Sequence, residues 1–270
     1  MKNPSLRCYL GSMEYGIVSQ EFYIGRFLYL TSELDKLPKI THIKKGDGTA
    51  MSIRWKDADG TDRRHRLTAE TPELEEFKKM ELRRTILQDK LDKLLASWKM
   101  EHGGSLKDLA EGYVLKPNTT NPYDSSLYES LKEDNNSYPK NRQVIHNGMV
   151  MRSFFEADVA QVLEDLGIDY KYEVCFRFGN NGDMSPDFSM NFPEFNRCGF
   201  LEAVGGMNNF SYINSNSEKF ANYANAGLVI NRDIIYVAGE GDYRPDHGTI
   251  RRIIGVMLDA LAKQFVFRKT

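Results

Sequence analysis

The 270-residue sequence predicts an α/β fold (α+β overall) whose C-terminal half runs helix, three strands, helix, strand, helix. Three observations carry that prediction. Apolar residues recur at three- and four-residue steps in 151–168 and again in 250–261, the signature of amphipathic helices. Three short runs rich in branched and aromatic residues succeed one another between 171 and 204. A fourth such run, 233–239, follows a helical stretch closed by Gly227.

Taken in order, residues 1–70 are expected to form a small β-rich N-terminal region. The run 23–30 (YIGRFLYL) is aromatic and branched, and 40–67 reads as strands punctuated by Gly46-Asp47-Gly48 and Asp59-Gly60 turns. Arg63, Arg64, His65 and Arg66 form a short basic run, which suits a solvated strand face more often than a phosphate contact. Residues 71–100 then read as one long helix. Thr71 offers a capping hydroxyl, Pro72 a first helical position, and no glycine or further proline follows up to Met100. Phe77, Met80, Leu87, Leu91, Leu94 and Trp98 keep a coiled-coil rhythm broken once at Arg84. Such a helix either pairs with a second copy, making a homodimer, or packs against its own β-rich neighbour. Residues 101–147 are rich in Asn, Ser and Pro and read as a polar linker or loop, with one short helix around Leu106–Tyr113.

The remaining span, 148–270, reads as a domain of its own. Phe155, Val159, Val162, Leu163 and Leu166 make an apolar stripe stopped by Gly167. Strand-like runs follow at 171–178, 185–192 and 199–204, the first two separated by a turn at Gly179–Gly182. A helix is expected from about Asn214 to Ala226, a strand at 233–239, and a last helix carrying Ile250, Ile253, Ile254, Met257, Leu258 and Leu261.

Bulk properties narrow the function. No stretch approaches the roughly 20 consecutive apolar residues of a membrane helix, so no membrane partner is expected. The opening residues, MKNPSLRCYLGSMEYG, show no apolar core or small-residue cleavage site, and a cytoplasmic location is the expectation. Cys8, Cys175 and Cys198 are too scattered for a disulfide framework or a zinc cluster. A net charge of -2 argues weakly against tight non-specific DNA binding and leaves nucleic-acid chemistry open.

The placement of acids is more informative. Pro186-Asp187 opens one strand, and Glu202 interrupts the otherwise apolar run Phe200-Leu201-Glu202-Ala203-Val204. A carboxylate inside a buried strand is costly unless compensated. If the two strands pair, Asp187 and Glu202 converge on one divalent cation, a hard ion that prefers oxygen ligands. Glu156, at the edge of the first helix, is positioned to add a third carboxylate. The alternative for Glu202 is a solvated strand face.

Arg152-Ser153 with Glu156, Gly167-Ile168, Tyr172-Glu173, Pro186-Asp187-Phe188, Leu201-Glu202, and Gly205 or Gly206 with Met207 and Tyr212 occur in an order that resembles a bacterial and phage branch of the PD-(D/E)xK nuclease superfamily. The resemblance covers roughly 148–240. It implies a restriction-endonuclease-like fold and a nuclease acting on nucleic acid, usually DNA. Mg2+, or Mn2+ as a substitute, would sit on the acids matching Asp187, Glu202 and Glu156. The superfamily pattern places a lysine two residues after the strand acid, where this chain has Val204. In the branch resembled, the lysine lies on the following helix in a Lys-x3-Tyr-x3-Gly pattern, matched here by Lys219, Tyr223 and Gly227. Lys219 then completes the catalytic set, while Arg152 and Tyr223 are candidate nucleic-acid contacts. Loss of the strand lysine also leaves open a nuclease-derived module that binds nucleic acid or protein without cleaving.

Overall fold

The computed structural model describes residues 18–45, 48–68, 72–117, 120–133, 143–177, 183–205, 210–239 and 243–270. Cys8, the Gly46-Asp47 turn residues, Thr71, Gly179–Gly182, Gly206, Met207 and the side chain of Tyr212 lie outside the described residues.

The first element corrects the sequence reading. Residues expected to be β-like form helix α1 (Gln20–Asp35), capped by Ser19, whose hydroxyl accepts from the Phe22 N–H at 3.3 Å. Local β-propensity loses to a burial stripe at Phe22, Arg26, Leu30 and Leu34, spaced four apart. Gly25 belongs to that packing: a Cβ there would lie 2.8 Å from Val266 Cγ2 and 3.0 Å from Phe195. The expected strands follow as an antiparallel sheet of β1 (Lys39–Lys45), β2 (Gly48–Lys56) and β3 (Asp62–Leu67). Its second turn uses Gly60 at φ 80°.

The long helix α2 (Leu74–Glu101) starts three residues after the expected cap, with Glu73 at its N-cap making no side-chain cap hydrogen bond. Its stripe Leu87, Leu91, Leu94 and Trp98 is buried in the same core as Phe22, Tyr23 and Leu30 of α1. The face that resembles a dimer seam is therefore covered from within the chain. Arg84, the break in the rhythm, donates Nη1 to Leu34 O at 2.7 Å and Leu37 O at 3.2 Å, satisfying carbonyls at the C-terminus of α1.

The segment expected as a linker is built into the fold. It supplies helix α3 (Leu106–Ala110), strand β4 (Tyr113–Leu115), helix α4 (Ser125–Ser130) and strand β5 (Val144–His146), which forms a hairpin with β6 (Met149–Met151) just beyond it. Leu106, Ala110, Tyr123, Tyr128 and Leu131 are buried, which its polar composition conceals.

Beyond it the expected order appears. Helix α5 (Phe154–Asp165) is followed by β7 (Asp169–Tyr172), the small hairpin β8 (Phe176–Arg177) and β9 (Asp183–Met184), then β10 (Phe188–Phe192) and β11 (Arg197–Val204). Helix α6 (Phe210–Asn225), β12 (Ile234–Ala238), α7 (His247–Phe265) and β13 (Val266–Arg268) complete the chain. Sequence reasoning treats 171–178 as one strand, but Glu173 at φ 49° breaks it into β7 and β8. His247 opens α7 behind the N-cap Asp246.

The central sheet has the order β12-β11-β10-β7, antiparallel except for the parallel β11–β12 pair. Period-two alternation gives it two buried faces. Tyr172, Phe188, Met190, Phe192, Leu201, Ala203, Ile235 and Val237 pack toward α1, α5 and α7. Cys198, Phe200 and Ile234 pack on the other side with Tyr123 and Tyr128 of the intervening segment and Tyr223 of α6. Among the described residues no helix is long and apolar enough to cross a membrane.

Candidate active site

The site follows from strand register. Phe188 faces Leu201 and Ser189 faces Phe200, so the next pair outward is Asp187 opposite Glu202, on the α6 side of the sheet. Asp187 is fixed through its backbone and side chain: its carbonyl accepts from Glu173 N at 2.9 Å and its Oδ2 from Ala203 N at 2.7 Å. Glu202 is met from above by α6. Lys219 Nζ lies 2.7 Å from Oε2, and one turn later the Tyr223 hydroxyl donates to Oε1. Lys219 also stands 4.0 Å from Asp187 Oδ1. Asp187 keeps 18% of its side chain exposed against 4% for Glu202, which makes Asp187 the solvent side of the pair.

The electrostatics follow from crowding. Burial, then the adjacent Glu202, push Asp187 up to about 8, against the downward pull of Lys219. Burial also raises Glu202, while the Lys219 ammonium and hydrogen bonds from Lys219, Tyr223 and Asp187 hold it down. Near neutral pH the pair therefore retains a proton, with Asp187 the donor. Burial and the charge on Glu202 raise the Tyr223 phenol far above its ordinary value, so it remains a hydrogen-bond donor.

The other expected site residues separate from this pair. Glu156, in the first turn of α5, accepts from Arg152 N at 3.0 Å and from the Tyr172 hydroxyl at 2.5 Å. Burial, then the nearby Asp187 carboxyl, raise its pKa. Among the described residues no three His, Cys, Asp or Glu side chains are grouped to hold a metal, so Glu156 does not complete a three-carboxylate cluster with Asp187 and Glu202. Arg152 forms an ion pair with Glu173 and keeps 27% of its side chain exposed. Tyr223, expected as a nucleic-acid contact, is only 2% exposed and closes on Glu202 instead.

Glu173 has a role that sequence reasoning did not give it. Tyr172 pairs with Phe188 and Glu202 with Tyr236, so Glu173, Asp187, Glu202 and Tyr236 occupy successive positions across the sheet. Its charge adds to the upward push on Asp187. The dipeptide Tyr172-Glu173 is visible in the sequence, but its strand partner and the turn at φ 49° are not.

Fold and site together define an α/β protein with a lysine-gripped pair of buried acids at the centre of its mixed sheet. No family model, characterised protein or solved structure matches the chain in comparison.

Proposed function

We propose that the chain is a metal-dependent nuclease that hydrolyses phosphodiester bonds of nucleic acid, DNA foremost, with Mg2+ as cofactor and Mn2+ able to substitute. The observation that carries this reading is the convergence of Asp187 and Glu202, from adjacent strands, on Lys219 from the helix above. Two carboxyls raised by burial, Asp187 also by the adjacent Glu202, fit a hard divalent cation, whose charge offsets the cost of ionising them there. Asp187 and Glu202 would hold the ion, which when bound activates water and neutralises phosphate charge. Lys219 supplies fixed positive charge where negative charge develops on the phosphate. Tyr223 holds the Glu202 carboxylate in one orientation, and Glu156, locked by Tyr172 and the Arg152 backbone, braces the strand end from behind. Arg152 meets a backbone phosphate at the exposed edge. A cytoplasmic location accompanies this reading.

The test is cleavage of supercoiled plasmid, single-stranded DNA and RNA by purified protein in Mg2+ and in Mn2+. The wild type is expected to cleave, and Asp187→Asn and Glu202→Gln to be inactive with unchanged circular dichroism. Absence of cleavage in every combination, or full activity in both variants, overturns the proposal.

One observation favours a second reading, a nuclease-derived module that binds without cleaving. Glu202 is already paired with the Lys219 ammonium and hydrogen-bonded by Tyr223, and among the described residues no third ligand joins the pair. This reading expects no heat of Mg2+ binding in calorimetry and nucleic-acid or protein binding indifferent to Asp187→Asn.

A further inference from the structure

The three-stranded sheet β1–β3 carries an arrangement of charge that the central site does not explain. Lys39 pairs with Arg54, and Arg54 with Arg64, so three cations stand directly opposite one another across the strands. The adjacent row on the same face is Thr41, Ser52 and Arg66. Lys39, Arg54, Arg64 and Arg66 are all exposed. Arg64 lies across the sheet with Nε donating to Ser52 Oγ at 2.7 Å. Among the described residues, none of the four forms an ion pair, and Asp62 at the far end of β3 is the one acid of the face. The contrast is Arg63, on the opposite face, which Asp57 neutralises at 2.6 Å.

Like charges directly opposite in a sheet destabilise it. Two consecutive pairs of that kind, left uncompensated, cost stability and return none within the chain. With strands about 4.8 Å apart, the row Lys39–Arg54–Arg64 spans about 10 Å. One strand of duplex DNA carries a phosphate about every 3.4 Å of axis, so the row matches the charge of a short length of backbone.

We propose that this face of the β1–β3 sheet is a docking surface for the phosphodiester backbone of nucleic acid, read by charge and not by base sequence. The proposal takes its ligand from the nuclease reading but stands on a surface separate from Asp187 and Glu202.

The experiment is fluorescence anisotropy with a short labelled duplex, in EDTA so that no metal-dependent cleavage intrudes, between roughly 50 and 200 mM KCl. The wild type is expected to bind with an affinity that falls linearly in log–log form with salt. The double variant Arg54→Gln/Arg64→Gln should bind about tenfold more weakly at low salt, with a slope shallower by about 2. Because it removes cross-strand repulsion, the same variant should melt at an equal or higher temperature, which separates lost binding from lost fold. Unchanged affinity and slope overturn the proposal, as does wild-type protein that ignores DNA yet binds phosphatidylserine vesicles or polyglutamate. Wild-type protein that binds through this face but never cleaves in Mg2+ sinks the nuclease reading and leaves the surface standing. Cleavage that persists while the double variant binds as the wild type does the reverse.

Discussion

Replacing Asp187 with asparagine keeps the shape and the acceptor for the Ala203 N–H but removes the ionisable group. Asp187 titrates at about 8 in the folded chain, against an ordinary value near 4. A carboxyl raised in this way is more protonated in the folded than in the unfolded state between those values. Stability contributed at this position therefore falls as pH rises through the window. Ionisation of Asp187 costs almost nothing near pH 4, up to about 3 kcal/mol at pH 6, and up to about 5 kcal/mol above pH 8. Coupling to Glu202 and the 18% exposure of the side chain reduce these bounds, and about half is a reasonable expectation. Asp187→Asn is thus expected to be more stable than the wild type, with a gain that grows from pH 5 to pH 8 and then levels off. Urea denaturation of both proteins at each pH reads the difference directly. A gain independent of pH, or a variant less stable than the wild type at pH 8, would refute the account of why Asp187 is raised. If Asp187 is retained for chemistry, the stabilised variant is also the one that loses cleavage.

Three further perturbations probe the frame around the site. Arg84→Ala removes the donor to Leu34 O and Leu37 O, and a loss of about 1–2 kcal/mol in urea denaturation is expected; no loss would mean that water caps α1 equally well. Gly25→Ala adds a better helix former, yet its Cβ meets Val266 and Phe195 at 2.8 and 3.0 Å, so a net loss of about 1–2 kcal/mol is expected. A raised melting temperature would show that α1 can draw back at no cost. Glu156→Gln keeps an acceptor for Tyr172 and is expected to slow cleavage about 10–100-fold, the range of a positioning group, while Asp187→Asn abolishes it.

Much of the C-terminal half is legible in the sequence because its helices and strands have opposite periodicities and clear stops. The stripe Phe155–Leu166 and the apolar run around Glu202 need no tertiary information to be seen. Asp187 and Glu202 are legible because an acid in an apolar strand calls for compensation, whereas Lys219 is legible only through the resemblance to the nuclease branch. What the sequence conceals depends on partners far along the chain. Residues 23–30 look like a strand until Gly25 is seen against Val266. Glu173 looks like mid-strand until its positive φ turns the chain. The role of Glu156 is set by Tyr172, a residue from the next strand whose hydroxyl orientation no spacing reveals.

The anchoring of α1 has a consequence for how the chain acquires its shape. Arg26 in α1 donates to Leu166 O at 3.2 Å, across 140 residues of sequence, and also to Gly167 O. The surface beneath Gly25 is completed only by Val266. During synthesis this helix can meet α2 early, but the face that carries Gly25 stays open until Phe195 and then Val266 have been made. Contacts of such long separation close slowly, so the face of α1 toward Leu166 and Val266 should close last in refolding. Until then the face with Phe22 and Gly25 is open to self-association or to a chaperone.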